Sequence, residues 1–231
     1  MRAAIATAGL LLAGCSGPPA STSYFPLEAG KRWVYEQVTE WENNTVEREP
    51  LVLRALGSDK LESGNAWRRR SDSGIDYWLR ADDTGIYRVA TKTDLQEEPE
   101  PDKVPRFVLK MPLAVGTSWQ ASTTTYLLRR NADFPPEIRH THKPVPMTYR
   151  IEALGEKLTT RAGSFTDCIR VQGTAVMKLF ADPVVGFKDM PLTTTEWYCK
   201  GVGLVKLERS EPANSTFLAG GKTTLELLEW N

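Results

Sequence analysis

The sequence predicts an all-β fold: an antiparallel curved sheet, half-barrel or barrel, of roughly ten or more strands arranged as two related halves. Three observations carry this. Beyond residue 23, no 11-residue window holds an apolar stripe at the helical spacing i, i+3, i+4, i+7. Short runs rich in Val, Thr and aromatic residues recur along the chain, as in Thr123-Thr124-Thr125 and Thr193-Thr194-Thr195. Glycine-, asparagine- and aspartate-bearing turns separate these runs at short intervals.

In order, Trp33-Val34-Tyr35 opens a strand toward Trp41, and residues 50–56 (PLVLRAL) form a second. Residues 75–79 and 86–89 flank Asp82-Asp83-Thr84-Gly85, which reads as a hairpin turn. Further strands are expected at 105–110, 117–129, 147–154, 168–180, 192–199, 203–209 and 222–230. Gly201-Val202-Gly203 reads as a glycine-hinged bend, since no helix follows it and its glycine spacing is not that of a phosphate loop. Residues 94–105 (DLQEEPEPDKVP) and 131–146 (NADFPPEIRHTHKPVP) are rich in proline, which supplies no ladder donor, and are expected to be surface loops. Arg68-Arg69-Arg70 is expected at an exposed strand end.

An internal echo supports two halves. Pro26-Leu27-x-x-Gly30-x-x-Trp33 recurs as Pro112-Leu113-x-x-Gly116-x-x-Trp119. In each copy glycine permits a tight turn, and the tryptophan three residues later plugs the start of the next strand. The competing reading is one kind of turn used twice. Tyr24, Phe25, Trp33, Trp119 and Trp197 are expected as core plugs rather than a ligand platform.

Arg2 followed by an apolar run from Ala3 to Ala13 has the layout of an export signal and is too short to span a bilayer. Leu12-Ala13-Gly14-Cys15 resembles the lipobox of bacterial lipoproteins. That resemblance implies cleavage after residue 14, lipidation of Cys15 and a membrane anchor. With Ser16 rather than aspartate next, it implies an outer membrane address facing the periplasm. Residues 15–23 then form the lipidated Cys and a short linker, and residues 24–231 a single β domain. Eight linker residues reach only about 25–30 Å, so the domain stays near its membrane.

The chain carries 29 basic and 29 acidic residues. That balance argues against a nucleic-acid partner and against a polybasic membrane surface. Export also favours a disulfide between the two remaining cysteines, Cys168 and Cys199. Closing a loop of that length stabilises by roughly 3–4 kcal/mol. The alternative is two separate buried thiols, and a thiol count with and without reduction separates the two.

Three segments resemble a group of uncharacterised bacterial exported proteins and lipoproteins. They are Tyr24-Phe25-Pro26-Leu27-x-x-Gly30-x-x-Trp33-x-Tyr35, Arg161-Ala162-Gly163-Ser164-Phe165-x-x-Cys168-x-x-Val171 and Trp197-Tyr198-x-x-Gly201-Val202-Gly203-Leu204-Val205-Lys206. The resemblance implies a largely β domain and supplies no catalytic residues. Position 199 holds Cys where the group often holds Ala, which makes the disulfide a feature of this chain.

Chemistry-bearing patterns are few. His140-x-His142, with Glu137 as a third donor, is the one pair with metal-ligand spacing, and a solvated loop is the expectation there. No Gly-x-Ser-x-Gly elbow is present. Asp72, Asp76, Asp82 and Asp83 lie beside Tyr77 and Trp78, a pattern a glycosidase face would use, yet turn formation explains the second pair. No cofactor and no catalytic residue is expected. The expected function is a non-enzymatic envelope binding module for an apolar ligand or a partner protein. The alternatives are a structural or assembly lipoprotein without a small ligand, and a hydrolase acting on envelope polymers.

Overall fold

The computed structural model describes residues 24–130, 144–182, 184–215 and 217–231. The first half is an antiparallel meander of β1 (Arg32–Trp41), β2 (Val46–Leu61), β3 (Gly64–Ser71), β4 (Ile75–Asp82), β5 (Gly85–Thr93) and β6 (Glu100–Lys110). The second half is a meander of β7 (Ser118–Thr123), β9 (Val145–Thr160), β10 (Gly163–Asp182), β11 (Gly186–Cys199), β12 (Gly203–Glu211) and β14 (Gly221–Trp230). β1 pairs with β14, so the two meanders merge into one 12-stranded antiparallel sheet that curls into a nearly closed barrel. β8 (Arg129–Arg130) and β13 (Leu218–Ala219) form a separate two-stranded sheet.

The two echo segments take the same structure. The Gly30 N–H donates to the Ala55 carbonyl at 2.9 Å, and the Ala55 N–H donates to the Lys31 carbonyl at 2.8 Å. In the second half Gly116 donates to Ile151 at 2.8 Å, and Ile151 donates to Thr117 at 2.9 Å. Gly30 (φ 85°) and Gly116 (φ 93°) both occupy the left-handed region, where a side chain is disfavoured. Trp33 and Trp119 each enter the core as the second residue of the following strand.

The halves are joined unequally. β1 and β14 share a ladder from Trp33↔Trp230 to Trp41↔Gly221. Among the described residues no ladder joins β6 to β7. Side chains bridge that seam instead: Arg106 Nε donates to the Ser122 carbonyl at 2.9 Å, and Trp119 Nε1 to the Phe107 carbonyl at 3.2 Å.

The inward faces of the strands meet in a main core. Ile86, Leu109, Met147, Ile151, Val171 and Leu192 are fully buried in the main core. Gly173, mid-strand in β10, is what lets its neighbours meet: a Cβ there would fall 2.6 Å from Thr194 and 2.9 Å from Met147 and Tyr149. A second cluster gathers Trp33, Tyr35, Phe165, Cys168, Cys199 and Val202. Cys168 and Cys199 lie opposite each other in the β10–β11 ladder and form the disulfide.

Three expectations are corrected. Residues 100–105 are strand, not loop, because β6 is a sheet edge where Pro101 and Pro105 forfeit no ladder donor. The expected 117–129 strand ends at Thr123, and only Arg129–Arg130 resumes pairing, with β13. Arg68-Arg69-Arg70 is not a strand end but lies within β3. Alternation sends Arg68 and Arg70 outward, where both bond the buried Asp76 carboxylate (2.9 and 2.7 Å). Arg69 turns inward between the Phe25 and Trp33 rings, 4.2 Å from each centroid, and donates to the Pro26 carbonyl at 2.8 Å. Burial lowers the pKa of its guanidinium to about 10.

Candidate binding cleft at the open seam

Where β6 parts from β7, a cleft of about 680 Å³ opens into the barrel wall. β6 lines one side with Pro101, Lys103 and Arg106, and β7 and the chain after it line the other with Gln120, Ser122 and Tyr126. Tyr77 and Arg88 reach it from the neighbouring strands β4 and β5. Arg88 is held by Asp102 through two bonds of 2.7 and 2.6 Å.

The alternation of β11 explains the polar groups behind the cleft. Leu192, Thr194, Glu196 and Tyr198 share one face, so this strand carries a carboxylate inward among apolar neighbours. The Tyr198 hydroxyl donates to Glu196 Oε2, and the Thr194 hydroxyl lies 3.4 Å from Oε1. Burial pushes the Glu196 carboxyl up, against the Tyr198 hydrogen bond and the attraction of Arg106 and Arg209. Burial and the Glu196 charge push the Tyr149 and Tyr198 phenols up. Burial pulls the Arg106 guanidinium down, but the acidic groups around it, Glu196 among them, more than offset it, so it ends above its usual value. At neutral pH the seam therefore presents an arginine cation among un-ionised phenols.

A second ionic group lies behind the chain that follows β7. Arg209 and Glu211, 3% and 0% exposed, pair within the wall. Glu211 also accepts from the backbone N–H groups of Tyr126, Leu127 and Leu128 at 2.8–3.0 Å. Arg209 donates to Thr123 Oγ1 (3.1 Å) and the Thr124 carbonyl (2.7 Å), and stacks 3.9 Å from the Tyr126 ring centroid. This network converts residues 124–128, which leave the sheet, into a rigid wall of the cleft.

The residues singled out in the sequence fall elsewhere. Cys15, Glu137, His140 and His142 lie outside the described residues. Among the described residues no group of three or more His, Cys, Asp or Glu is placed to hold a metal ion. Asp82 shapes its turn: it accepts from the Thr84 N–H at 2.7 Å and from the Tyr87 hydroxyl at 2.8 Å. Asp76 is neutralised by the two arginines of β3. The three segments resembling exported proteins converge at one end of the barrel. There the Tyr24 hydroxyl donates to Asp167 (2.8 Å), Trp33 Nε1 donates to the Val202 carbonyl (2.7 Å), and Gly203 packs under Pro26. Phe25, Trp33 and Trp119 are buried there or nearby, as plugs, while Tyr24 and Trp197 are half-buried.

No protein-family model matches the chain, and no curated relative matches it. Among solved structures it is similar to a candidate lipoprotein of Parabacteroides distasonis ATCC 8503, at 16% identity and a TM-score of 0.41, covering 90% of this chain and 98% of that one. It is also similar to a candidate exported protein with a YmcC-like fold from Bacteroides fragilis NCTC 9343, at 14% identity and a TM-score of 0.39, with coverages of 90% and 98%.

Proposed function

We propose that this chain is a non-enzymatic binding module of the bacterial cell envelope, anchored through Cys15, and that the β6–β7 seam is its recognition site. The observation that carries the reading is the seam itself. One junction between the halves is laddered and the other is left open over Arg106, Tyr77 and Tyr126. Arginine, lysine, hydroxyl and phenol groups line the seam, so the ligand is a polar envelope molecule bearing hydroxyls and an acidic group rather than a long apolar chain. The phenols supply flat, amphipathic contact area and Arg106 the counter-charge. Glu196 is engaged by Tyr198, and Glu211 by Arg209 and backbone N–H groups, which supports binding over acid–base chemistry.

Native mass spectrometry of the full exported chain tests this. The wild type is expected to carry a co-purifying polar mass that Arg106→Met loses while keeping its melting temperature. An unliganded wild type, or a ligand retained by Arg106→Met, overturns the reading.

A further inference from the structure

β10 and β11 outrun their neighbours. The β9–β10 ladder ends at Thr174↔Thr148, and the β11–β12 ladder at Thr193↔Ser210. Among the described residues, β10 and β11 pair beyond these points only with each other, from Ala175↔Leu192 to Asp182↔Gly186, as a two-stranded arm. One face of the arm, with Met177, Ala181, Met190 and Leu192, is buried against the main core. The other face is exposed and ordered in rows: Val176 opposite Pro191, Lys178 opposite Asp189, Phe180 opposite Phe187. Val176 is 61% exposed and Phe187 67%, and the Phe180 and Phe187 rings meet edge-on at 5.6 Å. Exposed apolar rows on both sides of a charged pair mark a contact surface.

We propose that this outer face is the contact surface of a two-fold dimer of this chain. The pattern is self-complementary. A two-fold axis running along the arm, between its strands, lays β10 of one copy over β11 of the other. Lys178 then faces Asp189 of the second copy, Phe180 faces Phe187 and Val176 faces Pro191. Opposite charges at the centre fix the register, and apolar rows on both sides supply the contact.

The chain's direction agrees. Tyr24 is tied to Asp167 near the start of β10, so the arm tip lies about 15 residues, or roughly 50 Å, further along the strand. An axis parallel to the arm sends both N-termini the same way, as two chains anchored in one membrane require. The arm face is small, so pairing depends on concentration, and confinement to a membrane strengthens a dimer that already forms at high concentration in solution. An anionic or zwitterionic lipid surface fits less well, since Asp189 sits in the middle of the patch and the tip points away from the N-terminal side.

Sedimentation of the full chain in density-matched detergent tests the proposal. The wild type is expected to be a concentration-dependent dimer. Lys178→Asp and, separately, Phe187→Asp are expected to weaken it by about tenfold or more. Lys178→Asp combined with Asp189→Lys is expected to restore it. Unchanged circular dichroism shows that each variant is folded. A wild type that stays monomeric at every concentration overturns the proposal, including one that binds phospholipid vesicles through Phe187. So does a dimer indifferent to both single substitutions.

Discussion

The two meanders start alike and finish differently. Each opens with a Pro-Leu-x-x-Gly-x-x-Trp turn whose glycine brackets the next strand through the same pair of hydrogen bonds. At the first turn the tryptophan belongs to β1, an interior strand laddered on both sides, and Arg69 fills the space beside it. At the second, Trp119 belongs to β7, which among the described residues is laddered on one side only, and stacks on Tyr149 with ring centroids 5.7 Å apart. A repeated turn fixes how a strand enters the barrel but not whether that strand finds a partner on its far side. Prolines on β6 and a chain that leaves the sheet after Thr123 keep the second junction open.

The largest effect is expected where the second half builds its substitute wall. Glu211→Ala leaves Arg209 and three backbone N–H groups without their acceptor, at a cost of about 3–5 kcal/mol. Chemical denaturation should show it, and a loss under about 1 kcal/mol would mean water replaces the carboxylate. The turns themselves should respond equally. Gly30→Ala and Gly116→Ala each force a side chain into the left-handed region, at about 1–2 kcal/mol. A marked inequality between them would break the equivalence of the halves.

The tryptophans should respond unequally. Trp33→Phe strands a buried carbonyl acceptor, bonded at 2.7 Å, at about 1–3 kcal/mol. Trp119→Phe gives up a 3.2 Å bond at the open seam, and its effect should fall below about 1 kcal/mol because the Phe107 carbonyl can take a water bond there.

The smallest effect is a pH dependence. The Glu196 carboxyl is raised in the folded protein, so the unfolded chain releases that proton first as pH climbs above the ordinary glutamate value. The unfolded state then binds fewer protons than the native state, and stability contributed by the protonated group is lost with rising pH. Glu196→Gln should therefore gain melting temperature relative to wild type between pH 4 and pH 7. A gap that stays constant or narrows over that range would show that Glu196 is ionised in the native protein without penalty.

Much of the fold was legible because most strands carry their own pattern. The hairpin around Asp82–Gly85 and the bend at Gly201–Gly203 lie where turn chemistry puts them. β3 escaped because three consecutive arginines show no alternation in charge, although the sheet places Arg69 inside and its neighbours outside. The start of β6 escaped because proline is read as a breaker until it is known to lie on an edge. The seam was not legible, since no local pattern states which strands fail to pair. One signal was available: Leu192, Thr194, Glu196 and Tyr198 stand two residues apart, which puts a glutamate on the core face of a strand.

Arg69 also bears on mechanics. Any load entering from the N-terminal side reaches Tyr24–Leu27 first, and that segment is gripped by the Phe25 ring on Arg69 and by the Pro26 carbonyl. Behind it the pull runs along β1, whose ladders to β2 and β14 resist together in shear rather than opening one bond at a time. A load from that side thus meets the sheet in shear along β1, and the bond from Tyr24 to Asp167 passes part of it directly to the start of β10.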